Sequence, residues 1–95
     1  MYARVVRFTD VTPERIAEVT SRVEESEGPP PGVDSSAMKL LVDEDQGTAI
    51  FIGFFDSEDK LRDGSAVLEQ MDAGETPGTR ASVDLCEVKM ERSAA

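Results

Sequence analysis

Histidine and tryptophan are absent from this 95-residue chain, and cysteine occurs once. The missing histidine removes the commonest general base near neutral pH, the commonest metal ligand and the usual axial ligand of haem iron. Cys86 cannot close an internal disulfide. Its place in Val83-Asp84-Leu85-Cys86-Glu87-Val88 marks a small strand residue of a reducing compartment, with no basic neighbour to stabilise a thiolate. Positive charge is scarce too: ten Lys and Arg face twenty Asp and Glu, for a formal charge of −10. Such a surface repels phosphate backbones and anionic lipid, so neither nucleic acid nor a membrane is expected as a partner, and the charge serves solubility. No apolar run approaches the roughly 20 residues that cross a bilayer. Near the N-terminus, Arg4 and Arg7 lie inside the apolar run rather than before it, and no small-residue cleavage site follows. That pattern is not a secretory signal, and a cytoplasmic location is expected.

What is present suits one small α+β domain. A chain of this length buries only roughly 60 to 65% of the surface its unfolded form exposes, so the core is small. Its centre is the stretch from Ser36 to Phe55. Two apolar runs, Ala37 to Val42 and Thr48 to Phe55, flank the polar link Asp43-Glu44-Asp45-Gln46-Gly47, which predicts two strands joined by a tight hairpin. The acidic tip lacks the spacing of a calcium loop and reads as a solvated turn. In the second run Ala49, Phe51 and Phe55 alternate with Ile50, Ile52 and Phe54, so both faces of that strand need cover.

Before the hairpin, Tyr2 to Thr9 predicts a strand with Tyr2, Arg4, Val6 and Phe8 on one face and Ala3, Val5, Arg7 and Thr9 on the other. Thr12 offers an N-cap with Pro13 at the first helical position, opening a helix to about Ser26 whose inward stripe is Ile16, Val19, Thr20 and Val23. Gly28-Pro29-Pro30-Pro31-Gly32 then forms a stiff connector. After the hairpin, Ser57 caps a second helix with Glu58 and Asp59 in its first turn and Leu61, Val67, Leu68 and Met71 on its apolar face. Gly64 in its middle marks a close approach of backbone or ligand, or a local break. Residues 73–79 read as a surface loop and Arg80 to Glu91 as the last strand, so that 1–92 form a single domain and 93–95 a frayed end.

Strand, helix, strand, strand, helix, strand is the order of a ferredoxin-like split βαβ fold, with the first and third strands central in a four-stranded antiparallel sheet and both helices on one face. The other face would expose some of Val5, Leu41, Ile50, Ile52, Phe54 and Leu85. A second copy is the simplest cover, two sheets closing into a barrel, so a homodimer is expected.

Over nearly the whole chain, this layout resembles the dimeric α/β-barrel superfamily and, within it, the antibiotic-biosynthesis monooxygenase-like domains. The resemblance is carried by Phe51-Ile52-Gly53-Phe54-Phe55-Asp56-Ser57-Glu58-Asp59-Lys60-Leu61, an apolar strand ending in an aromatic and followed by a Ser-capped acidic helix start, and by the strand from Arg80 to Val88. It implies a pocket between sheet and helices, lined here by Val6, Phe8, Phe51, Phe55, Leu61, Gly64, Ser65 and Leu68, for a small hydrophobic ligand. It further implies cofactor-independent oxygenation of a quinol- or anthrone-like aromatic, or, as the alternative, a non-catalytic ligand-binding or assembly module. Haem degradation is not implied: the positions matching that subgroup's asparagine, tryptophan and histidine hold Val6, Phe55 and Gly64. No cofactor and no metal is therefore expected.

Two side chains are candidates for chemistry. Arg4 can stabilise a substrate phenolate or enolate, or can pair with Asp84 or Glu87 of the last strand. Tyr2 can donate a hydrogen bond to a bound oxygen, or can anchor the sheet edge. Ser65, next to Gly64 on the second helix, can point inward or face solvent, and the solvated reading is preferred.

Overall fold

The computed structural model describes residues 1–70 and 76–94. Six elements follow in the expected order: β1 (Tyr2–Thr9), α1 (Pro13–Glu25), β2 (Ala37–Asp43), β3 (Thr48–Phe55), α2 (Glu58–Leu68) and β4 (Thr79–Glu87). The four strands form one antiparallel sheet in the order β2-β3-β1-β4, which is the ferredoxin-like βαββαβ arrangement with β1 and β3 in the middle.

Local chemistry sets the ends of the elements. Thr12 accepts the Arg15 backbone N–H at 3.2 Å and Pro13 opens α1; Ser57 does the same for α2 through Lys60 N–H at 3.2 Å. The hairpin turns through Gly47, whose φ of +66° favours glycine, and its carbonyl accepts Val11 N–H at 3.0 Å, fastening the tip to the link between β1 and α1. Just before β4, a side chain at Gly78 would press into the carbonyl oxygen of Thr9, so only glycine fits that crossing. The neighbouring Pro77 is buried, so the expected surface loop is tucked in at its end; residues 73–75 of that loop, and Met71, lie outside the described residues.

Two apolar clusters fill the layer between sheet and helices. Val6, Phe8, Val11 and Ala49 gather Ile16, Leu40, Phe51 and Val83 around them, while Val33, Phe55 and Leu61 gather Tyr2, Val67 and Leu68. Phe55 is 0% exposed, and Gly64 of α2 lies directly over its ring. The glycine thus marks a close approach of helix to strand, without interrupting the helix.

Three expectations change. The inward stripe of α1 is shorter than its pattern suggests: Ile16 and Val19 pack inward, but Thr20 is exposed and Val23 is 39% exposed, because the helix end overhangs a recess beside β2. β4 stops at Glu87 instead of Glu91, since Glu87 pairs with Tyr2, the first residue of β1, and just beyond it the Val88 N–H turns to the Met1 carbonyl at 2.9 Å. Leu85 belongs to the helix side of the sheet and not to its open face, because it pairs with Arg4, whose side chain lies under α2.

The open face therefore consists of Ala3, Val5, Arg7 and Thr9 of β1, the even-numbered residues of β3, Ala37, Lys39, Leu41 and Asp43 of β2, and Ser82, Asp84 and Cys86 of β4. Val5, Ile50, Ile52 and Phe54 are half-buried there and Leu41 is 49% exposed. Arg7, Lys39 and Asp84 interrupt this apolar surface, two of one sign and one of the other. No described helix is long and apolar enough to cross a membrane.

Candidate functional site

Strand alternation places Arg4 on the helix side of β1, between Gly53 of β3 and Leu85 of β4. Only 7% of Arg4 is exposed, so its guanidinium requires partners within the protein. Helix α2 provides them. From the core residue Leu61, steps of four reach Ser65 and Glu69, so all three share the side of the helix turned to the sheet. Nε of Arg4 donates to Ser65 Oγ at 3.1 Å, and its Nη2 donates to Glu69 Oε1 at 3.2 Å. The second oxygen of the same carboxylate receives Nη1 of Arg80 at 2.8 Å. One carboxylate thus bridges two guanidinium groups.

The electrostatics follow from this geometry. Burial pushes the Arg4 guanidinium below its ordinary value and the Arg80 charge acts the same way, against the hydrogen bond and charge of Glu69. An arginine nevertheless keeps its proton. The Glu69 carboxyl is held below the usual glutamate range, chiefly by the Arg80 hydrogen bond, with Arg4 adding to it against a desolvation penalty.

The partners of Arg4 correct the sequence-based alternatives. Asp84 pairs with Val5 and lies on the opposite face of the sheet; Glu87 shares the face of Arg4 but pairs with Lys89 at 3.2 Å. Of the two readings of Ser65 the inward one holds and the preferred solvated one does not: it is buried and accepts the arginine. Tyr2 is half-buried against the Val33, Phe55 and Leu61 cluster on a central strand, so it does not anchor an edge.

Of the residues expected to line a pocket, Val6, Phe8 and Phe51 meet in one cluster and Phe55, Leu61 and Leu68 in the other, with Gly64 over Phe55 and Ser65 beside Arg4. All eight sit between sheet and helices, and the space at Phe55 is closed by side chains. Two recesses lie elsewhere: one at the hairpin tip along Val42 to Asp45, and one of about 300 Å³ between the end of α1 and the start of β2, lined in part by Val23, Pro29 and Met38. Neither includes Arg4. Among the described residues, no group of three or more His, Cys, Asp or Glu is arranged to hold a metal ion.

Sequence reasoning missed Glu69 and Arg80. The four-residue ladder from Leu61 was the available signal for Glu69. Arg80 carried none, because it reaches the site across a register shift between Arg7 and Phe8 in the pairing of β1 with β4. No protein-family profile, no characterised protein and no solved structure matches this chain at a significant level.

Proposed function

We propose that this chain works as a homodimer, two open sheet faces closing into an α/β barrel of the kind found in antibiotic-biosynthesis monooxygenase-like domains, and that it serves as a small-ligand-binding module. The observation that carries the dimer is the run of Val5, Leu41, Ile50, Ile52 and Phe54 over the face that no helix covers. The surface area supports it. The chain exposes 6562 Å² where a monomer of 10.3 kDa exposes about 5,400 Å², and a stable interface takes about 800 Å² from each partner. Arg7 and Lys39 with Asp43 and Asp84 give that face both signs of charge, which a twofold arrangement can match against itself.

Binding rather than chemistry is favoured by the state of Arg4. Cofactor-independent oxygenation needs a dry enclosed pocket around the cation that meets the developing anion. Here Leu85 and Glu69 beside the cation are 46% and 42% exposed, so the spot is open to water rather than dry. The oxygenase reading is the second one, kept by the placement of Arg4 among Val6, Phe51 and Gly53 on the covered side of the sheet.

Sedimentation equilibrium on the wild-type chain and on Ile52→Glu tests the dimer. The wild type is expected at twice the chain mass at micromolar concentration and the variant at the chain mass. A wild-type monomer under those conditions overturns the proposal.

A further inference from the structure

We propose that the Arg4–Arg80 pair, with Leu85 beside it, is a binding site for a small organic carboxylate that carries an apolar body. The inference rests on the ligand-binding side of the proposed function and adds to it the class of ligand and the place where it binds.

Both guanidinium groups keep unspent donors. Arg4 uses Nε on Ser65 and Nη2 on Glu69, and its Nη1 has no acceptor among the described residues. Among the described residues no buried side-chain nitrogen or oxygen lacks a partner, so Nη1 reaches solvent rather than being sealed in. Arg80 commits only Nη1, and its side chain is 45% exposed. Two planar forks therefore present free N–H groups around one bridging carboxylate, an arrangement suited to a second, bidentate one.

The chain as a whole carries −10, yet two guanidinium groups here share the single charge of Glu69. The carboxylate that β4 itself places on that side, Glu87, pairs with Lys89. An anion is thus drawn to this spot on a protein that repels anions elsewhere.

One side of the site is apolar. Leu85 is nearly half exposed on the sheet surface that faces the helices, one register step from half-buried Val83 and directly opposite Arg4. A bare inorganic ion would leave it wet, whereas an aromatic or branched aliphatic acid would cover it while its carboxylate meets the arginines.

Titration of the full chain with 2-naphthoate, followed by the backbone and arginine Nε–H resonances in nitrogen-15 correlation spectra, tests the site. Saturable shifts are expected at Arg4 Nε–H and at residues 83–85, with none from neutral 2-naphthamide. Arg80→Gln, an exposed position, should weaken binding roughly tenfold by removing a charged donor. Glu69→Gln should strengthen it, because the internal competitor loses its charge. Equal shifts from naphthoate and naphthamide, unchanged affinity in Arg80→Gln, or no saturable shift overturns the site; equal affinity for acetate and naphthoate overturns its apolar half. The Arg80→Gln chain keeps its open sheet face, so its mass in sedimentation reports on the dimer separately.

Discussion

A methyl group on Gly64 would stand 2.8 Å from Cε1 of Phe55 and 3.1 Å from its Cζ, so α2 rests on that ring with no room between them. The ring is fully buried among Val33 and Leu61 and has nowhere to swing. Contact this close fixes how far α2 lies from the sheet, and with it the reach of Ser65 and Glu69 toward Arg4.

Gly64→Ala sets two effects against each other. Alanine favours the helix by about 1 kcal/mol, while overpacking costs about 1–3 kcal/mol. Because the clash is with an immobile ring, the loss wins: a net destabilisation of about 1 kcal/mol or more is expected, read from the urea midpoint. A raised midpoint would mean that the ring has space to yield.

Ser65→Ala leaves the Nε of a buried guanidinium without its acceptor, and a loss of about 1–3 kcal/mol is expected. Adding Arg4→Met removes the group left wanting. The double variant should therefore lose less than the two single losses together, and strict additivity in denaturation experiments would show that the two side chains do not interact.

Acid should weaken the bridge in a defined direction. The Glu69 carboxyl is held below its unfolded-state value, so its contribution is complete above the ordinary glutamate range and disappears as pH falls through the lowered folded value. The stability gap between wild type and Glu69→Gln should be flat near neutrality and close below about pH 4.5. At the opposite end of the scale, Asp34 raises the Lys60 ammonium through a hydrogen bond, so what that exposed pair adds is lost only as pH rises through the raised lysine value. A gap for Glu69→Gln that widens in acid contradicts the bridge.

Cys86 pairs with Ala3 on the open face and is exposed in the single chain. In the proposed dimer, that face is covered. Labelling by a neutral thiol reagent should then slow as protein concentration rises through the dimerisation range, and Ile52→Glu should restore fast labelling at every concentration. Rates independent of concentration in the wild type would leave the thiol uncovered and count against the second copy.

Much of this architecture is legible in the sequence because it is set locally. The bounds of β1, the Thr12–Pro13 start of α1, the Ser57 cap and the hairpin around Gly47 each depend on residues within a few positions of one another, and strand alternation correctly puts Arg4 with Val6 and Phe8. The failures share a different cause. The partners of Arg4 lie 61 and 65 residues away on another element, and a strand pattern alone does not say which neighbour faces it. The side of Leu85 depends on the register of β4 against β1, which is shifted between Arg7 and Phe8, and the overhang of Val23 depends on where a helix axis crosses a sheet edge. Such facts are settled by packing between distant segments, after local preferences have been satisfied.

Since β1 lies between β3 and β4, the first of the six elements is held on one side by the sixth, with Tyr2 opposite Glu87. A nascent chain can close its hairpin early, yet its middle strand keeps one row of amide and carbonyl groups unmatched until residues 79–87 leave the ribosome. Pairings of such long sequence separation are slow to form, and the interval before they do is the period in which this small protein is most open to joining the wrong neighbour.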